Sequence, residues 1–172
     1  MADLAHSILD RLKNKSRSTG KDFQLTLQLF CQEEFLRRLQ HSQYSKNFIL
    51  KGGLFLYSIS GFESRPTRDV DFLIKNMSNT PETITVILKE IIAIETLNNF
   101  VVFEIKGLEP IAEHREYNGV RAKIITRIKN TRTPFDIDMG IGDVIVPKPE
   151  LRTLPTQLDG FVRPSYIGHG RG

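Results

Sequence analysis

The sequence contains one cysteine, Cys31, among its 172 residues, and this scarcity excludes both a disulfide framework and a zinc cluster built from thiolates. No apolar stretch is long enough to span a membrane, and residues 1–10 hold no hydrophobic signal core behind a basic start. We therefore expect a cytoplasmic protein without a membrane partner. The four histidines also lack the spacing of metal ligands; they are His6, His41, His114 and His169.

Neither sign of charge dominates, since 24 Lys and Arg residues against 20 Asp and Glu residues leave a net charge of +4. This mild positive charge is compatible with an anionic partner such as a nucleotide or RNA and does not demand one. Hydrophobic residues make up 40% and charged residues 26%, which excludes a disordered or collagen-like chain. The length is typical of one domain with its own core.

The hydrophobic pattern predicts an order of elements typical of an α+β or α/β domain. Predicted helices cover Ala2–Lys15, Asp22–Gln40, Leu54–Ser60 and the segment that begins with the N-cap sequence Thr80-Pro81-Glu82. Residues 16–20 (SRSTG) are predicted as a loop. Predicted strands cover Asp69–Ile74, Phe100–Ile105, Val120–Ile128 and Pro134–Met139.

We expect one compact domain with three parts. Residues 1–46 form an N-terminal helical segment that packs on the core, and residues 47–147 form the core. Residues 148–172 form a tail rich in proline, glycine and arginine, for which the pattern predicts no element.

Two adjacent glycines, Gly52 and Gly53, precede the short helix predicted at Leu54–Ser60. Without Cβ atoms the backbone can turn tightly there and leave N–H groups pointing outward. These donors and the positive end of the helix dipole favour an anion, so the pair is a candidate phosphate site. A Gly-Gly pair on its own is more often simply a turn.

An Asp-x-Asp sequence begins sixteen positions after Gly53. If Asp69–Ile74 is a strand, its period of two places Asp69 and Asp71 on one face and the apolar residues on the other. Two carboxylates this close repel each other unless a cation lies between them, so the pair suits Mg²⁺ bound together with substrate phosphates. Taken alone, the pattern is more often a solvated strand edge.

A second acidic strand, Pro134–Met139, carries Asp136 and Asp138 on one face. One more carboxylate from a neighbouring strand would complete a site for two Mg²⁺ ions about 4 Å apart, the arrangement used for in-line attack on a phosphoryl group. The sequence holds no G-x-x-x-x-G-K-[ST] phosphate loop, and a metal-dependent glycosyltransferase would leave the two glycines unexplained. The combination of these segments is more specific than any one of them.

Three segments resemble the motifs of the AbiEii/AbiGii toxin group of nucleotidyltransferases, within the DNA polymerase β-like superfamily; they are Lys51-Gly52-Gly53, Arg65–Asp71 (RPTRDVD) and Ile137–Asp143 (IDMGIGD). The resemblance implies an α+β fold with a nucleotidyltransferase-type mixed β-sheet flanked by helices. It also implies a Mg²⁺-dependent transfer of NMP from an NTP to an acceptor, with tRNA or another RNA as the expected acceptor. The implied setting is a toxin–antitoxin or abortive-infection system with a winged-helix antitoxin as partner.

The resemblance also assigns roles to residues. Asp69 and Asp71 match the metal-binding pair, and Asp138 matches the third carboxylate better than Asp136 because it stands before the Gly-x-Gly-Asp sequence. These three would be catalytic and would hold two Mg²⁺ ions, for which Mn²⁺ can substitute. The implied nucleotide-binding residues are Lys51, Gly52, Gly53, Arg65, Thr67 and Arg68.

The predicted strand Val120–Ile128 alternates apolar and basic residues, with Arg121, Lys123, Arg127 and the adjacent Lys129 on its outer face. Such a basic track contacts the phosphates of RNA or of a triphosphate, or it is a solvated strand whose charges prevent edge pairing. We favour the second interpretation for Lys123 and Lys129. Arg121 and Arg127 stay candidate RNA or phosphate contacts.

Members of this family continue beyond the segment that resembles Leu158–Phe161 into a helical C-terminal half, whereas this sequence ends at Gly172. We therefore expect the chain to lack that half. The alternative function is a catalytically impaired nucleotidyltransferase fold that binds a nucleotide or the antitoxin.

Overall fold

A computed structural model describes residues 3–60, 68–78, 80–111, 118–141 and 149–168 of the chain. Within these ranges the chain forms four helices and seven strands. The helices are α1 (Leu4–Thr19), α2 (Phe23–Gln40), α3 (Gly52–Ile59) and α4 (Pro81–Ile92). The strands are β1 (Phe48–Lys51), β2 (Asp69–Ile74), β3 (Val101–Ile111), β4 (Asn118–Ile128), β5 (Thr131–Ile141), β6 (Glu150–Thr153) and β7 (Ser165–Gly168).

The strands form one mixed sheet with the order β3-β4-β5-β2-β1-β7-β6. Strand β2 is parallel to β5, and β1 is parallel to β7. The other neighbouring strands are antiparallel. The fold is therefore α+β, with helices packed on a mixed sheet, and the predicted fold class is confirmed.

One face of the sheet is apolar and carries the packed helices. Alternate residues of the central strands are buried there, including Val70 and Phe72 on β2 and Phe135 and Ile137 on β5. Phe72 packs edge-on against Phe48 of β1, with ring centroids 5.2 Å apart. Because side chains alternate along a strand, the residues between these positions lie on the opposite face. β2 and β5 thus present their aspartates away from the main core.

Helix α2 is buried along most of its length, as its two apolar sides predict. It contacts α1, α4 and the sheet, and every residue from Thr26 to Leu39 is buried. Cys31 lies inside this core, and burial raises the pKa of its thiol to about 12. The prediction of a helix packed between neighbours is confirmed.

Four buried charged side chains of α2 form what we name the α2 charge cluster: Glu33, Glu34, Arg37 and Arg38. Arg37 lies 2.7 Å from a carboxylate oxygen of Glu33 and 2.6 Å from one of Glu34, and Arg38 donates from Nε to Glu34 at 3.0 Å. Arg38 also donates to backbone carbonyls between α4 and β3, and Arg37 donates to the carbonyl of Val162 between β6 and β7. The cluster therefore attaches two connections to the core helix.

Helix α4 begins where the sequence signals predict. Thr80 is its N-cap, with Oγ1 accepting a hydrogen bond from the N–H of Thr83 at 3.3 Å, and Pro81 is its first residue. Its buried face consists of Ile84, Ile87, Leu88 and Ile91. Among the described helices, none is both long and apolar enough to cross a lipid bilayer.

Several segments differ from their sequence-based expectation. Strand β3 continues to Ile111, beyond its predicted end at Ile105, and β4 and β5 also extend past their predicted bounds. The loop predicted at residues 16–20 is wrong for its first four residues, because α1 continues to Thr19 and only Gly20 leaves the helix, with φ of 71°. The hydroxyl of Ser16 donates to the carbonyl of Lys21 and stabilises this last turn. The tail, for which the pattern predicts no element, contributes β6 and β7 to the sheet. These strands are too short to show a period, and they are ordered because β7 pairs with β1 and β6 pairs with β7.

Candidate active site

The two acidic strands predicted from the sequence are neighbours in the sheet. β2 and β5 run parallel, with Asp69 opposite Asp136 and Asp71 opposite Asp138. Because neighbouring strands lie about 4.8 Å apart, four carboxylates share a small area of the face away from the main core. Their alternation with buried apolar residues fixes this orientation, since a slip of one residue would bury the acids and expose the core. The three predicted catalytic residues are thereby brought together.

Strand β1 brings the two glycines to the same place. Lys51 is the antiparallel partner of Asp71, and α3 begins directly after it. Gly52 has φ of 72°, and a Cβ placed on it would overlap Oδ2 of Asp71 and lie 3.1 Å from its Cγ. Glycine is required here because the position combines left-handed backbone with the close approach of a carboxylate.

The N-terminus of α3 has no side-chain cap. Its N-cap residue is Lys51, which offers no acceptor, and its first turn contains no acidic residue. The first N–H groups of a helix have no partner within the helix, and the helix dipole attracts negative charge to them. The half-buried Gly53 and its neighbours in this turn therefore provide backbone donors for an anion beside Asp71.

Burial and neighbouring negative charge raise the pKa of Asp69 and of Asp71. For both Asp69 and Asp71 burial is the largest cause, and the negative charge of Asp138 is the next. The positive charges of Lys51 and Arg121 oppose the shift at Asp71. These acids therefore hold protons more readily than free aspartates, and a cation among them would relieve the repulsion.

Arg121 of β4 binds Asp138 through both carboxylate oxygens. Its Nε donates to Oδ1 at 2.7 Å and its Nη2 donates to Oδ2 at 2.9 Å. The same Nε lies 3.8 Å from Oδ2 of Asp136. The hydrogen bonds to Asp138 and the surrounding negative charge raise the pKa of the guanidinium further above its usual range, so Arg121 stays charged.

The donor set of this site suits a hard divalent cation. Mg²⁺ prefers carboxylate oxygens, and Asp69, Asp71 and Asp138 supply them from register-paired positions on two strands. In the part of the chain that the structure describes, no group of three or more Asp, Glu, His or Cys side chains converges to hold a metal ion. Both oxygens of Asp138 accept hydrogen bonds from Arg121, so a cation bound by all three acids would share these oxygens with the guanidinium or displace it.

Comparison with known proteins identifies the family. The family described as nucleotidyl transferase AbiEii toxin, type IV TA system, matches residues 34–167. This chain belongs to the AbiEii family. The match includes β1 to β6 and β7 as far as Ile167, so the acidic strands and the glycine turn lie inside the AbiEii domain. The family predicted from the sequence motifs is confirmed.

Two solved structures from Helicobacter pylori are similar to this AbiEii chain. One, a candidate nucleotidyltransferase, has a TM-score of 0.45 and 14% identity, and the match covers 81% of this chain and 51% of that chain. The other, JHP933, has a TM-score of 0.46 and 14% identity, with coverage of 81% and 49%. The AbiEii chain thus spans about half the length of these two proteins. No curated protein sequence matches it.

The other nucleotide-binding residues predicted for the AbiEii site are arginines and a threonine before β2. Arg68 directly precedes β2 and is exposed, and its positive charge is one of the influences that lower the pKa of Asp69. Arg65 and Thr67 lie outside the described residues. The assignment of these three to nucleotide binding stays a prediction.

The basic residues of β4 are paired with acids of neighbouring strands. Lys123 lies 3.7 Å from Glu109, and Arg127 lies 3.4 Å from Glu104. Arg127 is six positions from Arg121 on the same strand, a separation of about 20 Å, so it does not reach the carboxylates of the AbiEii site. Its role as an RNA contact stays a prediction.

Sequence reasoning did not find that Arg121 faces Asp138. β4 and β5 form a hairpin whose turn is Lys129-Asn130, and counting outward from that turn pairs Arg121 with Asp138. The tight turn between the two strands is the sequence feature from which this pairing could have been predicted. It lacks the usual glycine and instead places Lys129 at φ of 54°, which few non-glycine residues adopt.

We expect Gly52→Ala to lower the predicted binding of Mg²⁺-NTP at the candidate site at least about tenfold while the chain stays folded. The added Cβ would displace Asp71, and the left-handed backbone adds strain of about 1 kcal/mol. Gly20→Ala is the matched control, because Gly20 has φ of 71° but nothing within 4 Å of its Cβ position. Thermal unfolding should show a loss of stability in both variants, and isothermal titration should show weaker nucleotide binding in Gly52→Ala alone. If Gly52→Ala bound the nucleotide as tightly as wild type does, Gly52 would not be part of the binding site.

Proposed function

We propose that this chain is the Mg²⁺-dependent nucleotidyltransferase of a toxin–antitoxin pair and that its acceptor is an RNA such as tRNA. The observation that carries the proposal is the register of β2 and β5, which groups Asp69, Asp71 and Asp138 beside the uncapped N-terminus of α3. Carboxylates for a divalent cation and backbone donors for phosphate oxygens are the parts that phosphoryl transfer needs. Membership of the AbiEii family supports the same activity.

In the proposed reaction an acceptor hydroxyl attacks the α-phosphorus of an NTP. A bond forms between the hydroxyl oxygen and the α-phosphorus, and the bond from that phosphorus to the oxygen bridging to the β-phosphate breaks. Pyrophosphate leaves, and the hydroxyl proton passes to solvent. When bound, Mg²⁺ neutralises the charge that develops on the phosphoryl oxygens and lowers the pKa of the attacking hydroxyl.

The residues of the chain divide these tasks by position. Asp69 and Asp71 would hold the cation together with the triphosphate, and Asp138 would complete the ligand set on the side of the acceptor. The N–H groups of Gly52 and Gly53 would orient the β- and γ-phosphates, because they begin a helix next to Asp71. The exposed ammonium group of Lys51 adds positive charge at the same edge.

The proposed protein partner is an antitoxin. The family is that of a type IV TA system, and we propose a winged-helix protein in this role, as the resemblance of the sequence implies.

A pair of matched variants on one strand tests the activity. Wild type should transfer label from at least one [α-³²P]NTP to total tRNA when Mg²⁺ is present and not in EDTA. Asp138→Asn should lower the rate about 10³-fold, since a lost metal ligand removes several kcal/mol of transition-state stabilisation. Asp136→Asn should retain most of the activity, because Asp136 lies opposite Asp69 and farther from the Gly52 turn.

Two results would contradict parts of this proposal. Equal loss in both variants would remove the distinction between Asp136 and Asp138 as the third ligand. If wild type bound Mg²⁺-NTP but transferred no label from any of the four NTPs, the alternative of a nucleotide-binding module without catalysis would replace the enzyme.

A further inference from the structure

The bidentate pair between Arg121 and Asp138 differs from the other ion pairs on this face of the sheet. Both of its hydrogen bonds are shorter than 3.0 Å, and its side chains are 28% and 17% exposed. The neighbouring pair of Lys123 and Glu109 has one contact at 3.7 Å between side chains that are 55% and 47% exposed. Short bidentate contacts that are partly shielded from water are the strong form of a carboxylate pair.

Arg121 engages the carboxylate of Asp138 beside Asp69 and Asp71. Asp138 lies on β5, opposite Asp71 of β2 on one side and opposite Arg121 of β4 on the other. Its carboxylate therefore has a carboxylate neighbour on one strand and a guanidinium neighbour on the other. Both of its oxygens are given to the guanidinium. A guanidinium in this fork geometry occupies one lone pair of each oxygen and neutralises the carboxylate, so it weakens the attraction of Asp138 for a cation shared with Asp69 and Asp71.

We propose that Arg121 is a positioning residue that competes with the divalent cation for Asp138. It holds the third carboxylate before the cation arrives and gives up at least one oxygen when the cation binds. This inference rests on the proposed function, because it requires Asp138 to be a metal ligand. Arg121 thus supplies positive charge that reduces the repulsion among the carboxylates. It also lowers the affinity of the site for a divalent cation that arrives without a nucleotide.

Release of Asp138 changes what Arg121 can bind. A guanidinium that is no longer fully neutralised favours phosphate oxygens. Arg121 therefore opposes binding of the free cation and favours binding of the cation together with a nucleoside triphosphate. The two ligands bind cooperatively as a result.

The test compares Arg121→Gln with Lys123→Gln, which removes the same charge from the same face of the same strand. We expect full-length Arg121→Gln, freed of nucleotide, to bind Mn²⁺ about tenfold more tightly than wild type in an electron paramagnetic resonance titration. Lys123→Gln should differ from wild type by less than about twofold. In the presence of Mn²⁺, Arg121→Gln should bind NTP more weakly than wild type, so the two affinities move in opposite directions.

Two further variants separate competition for Asp138 from a general effect of charge. Arg121→Lys keeps the positive charge but cannot form the two-pronged contact, so its Mn²⁺ affinity should lie between those of wild type and Arg121→Gln. In an Asp138→Asn background, Arg121→Gln should no longer strengthen Mn²⁺ binding. In EDTA, Arg121→Gln should melt at a lower temperature than wild type, because Asp138 then adds an unpaired charge beside Asp71.

The outcomes distinguish this inference from the proposed function. If wild type binds Mn²⁺ and transfers nucleotide but Arg121→Gln binds Mn²⁺ no more tightly, the competition is wrong and the function stands. An equal gain in Arg121→Gln and Lys123→Gln, or a gain that persists in the Asp138→Asn background, would also overturn it. If neither wild type nor Arg121→Gln binds Mn²⁺ in the millimolar range, the metal-dependent function and the inference both fail.

Discussion

Asp71→Asn should lower nucleotide transfer about 10³-fold or more, because the proposed site loses a partly buried metal ligand. Asp71 lies between three features of the site: it pairs with Lys51 on β1, stands opposite Asp138 on β5, and contacts the position of Gly52. An asparagine fits the same space but carries no negative charge. The loss should therefore appear in metal and nucleotide binding without loss of the fold.

The same substitution should stabilise the metal-free protein. Burial and the charge of Asp138 raise the pKa of Asp71 above its ordinary value of 3.8, so the native state binds this proton more tightly than the unfolded state does. The free energy of unfolding consequently falls as the pH rises from 3.8 through the folded-state pKa. Asp71→Asn removes the repulsion, and we expect a gain of about 0.5 to 1 kcal/mol at pH 7, small because the carboxylate is partly exposed.

The measurement is thermal unfolding in EDTA between pH 3.5 and pH 7, next to the transfer assay. The fall in stability with rising pH should be smaller in Asp71→Asn than in wild type. Asp10→Asn, which changes an exposed carboxylate on α1, is the control and should alter neither property. A variant that transfers nucleotide at the wild-type rate would show that Asp71 is not a metal ligand. If Asp71→Asn were less stable than wild type in EDTA, the carboxylate of Asp71 would have a stabilising partner in the metal-free fold.

Glu34→Gln should destabilise the fold by about 3 to 5 kcal/mol, the range seen when one partner of a buried ion pair is removed. Oε1 of Glu34 accepts hydrogen bonds from Arg37 at 2.6 Å and from Asn98 at 2.8 Å. Oε2 accepts from Arg38 at 3.0 Å and from Thr96 at 2.7 Å. A glutamine would turn an amide toward two of these donors and would leave one of the two positive charges of the α2 charge cluster uncompensated.

The effect should extend beyond α2 because the cluster holds two connections. Arg38 reaches the carbonyls of Ile92 and Val101, and Arg37 reaches that of Val162. When Glu34 no longer orients the arginines, the α4–β3 and β6–β7 connections lose their attachment to the core. Amide hydrogen exchange in Glu34→Gln should therefore increase in both connections.

Glu150→Gln provides the matched control for this prediction. Glu150 forms an ion pair with Arg152 at the surface, where its side chain is 52% exposed. Exposed pairs contribute about 1 kcal/mol or less. For a chain of this size, Glu34→Gln should lower the melting temperature by about 10 °C and Glu150→Gln by at most about 3 °C. Equal shifts would show that the α2 charge cluster contributes no more than a surface pair.

The elements with strong local signals were predictable from the sequence. The strand at Asp69–Ile74 has the predicted bounds, because its alternation of acids and apolar residues is complete. The start of α4 is correct because Thr80 and Pro81 are local helix signals. The short strands β6 and β7 were not predictable, because four residues show no period and their order comes from pairing with β1 and with each other.

The sequence predicts which residues belong to the candidate site, but it does not predict how they are arranged in space. Alternation and the two glycines single out Asp69, Asp71 and Gly52 within one short segment of the chain. The pattern cannot show that Asp71 touches the position where Gly52 would carry a Cβ, because that contact depends on the pairing of β1 with β2. It also cannot show that Glu34 is buried, since its four donors come from two separate parts of the chain, α2 and the connection between α4 and β3.

The sequence by itself determined the family, the fold class and the identity of the candidate acids, because short motifs and residue periodicity are local properties of the chain. Only the tertiary structure decided that Asp71 lies opposite Asp138 and that Arg121 holds Asp138 by both oxygens. Strand order and register come from pairing between segments far apart in the sequence. The charge that surrounds each carboxylate follows from that pairing, and so does the competition we propose between Arg121 and the cation.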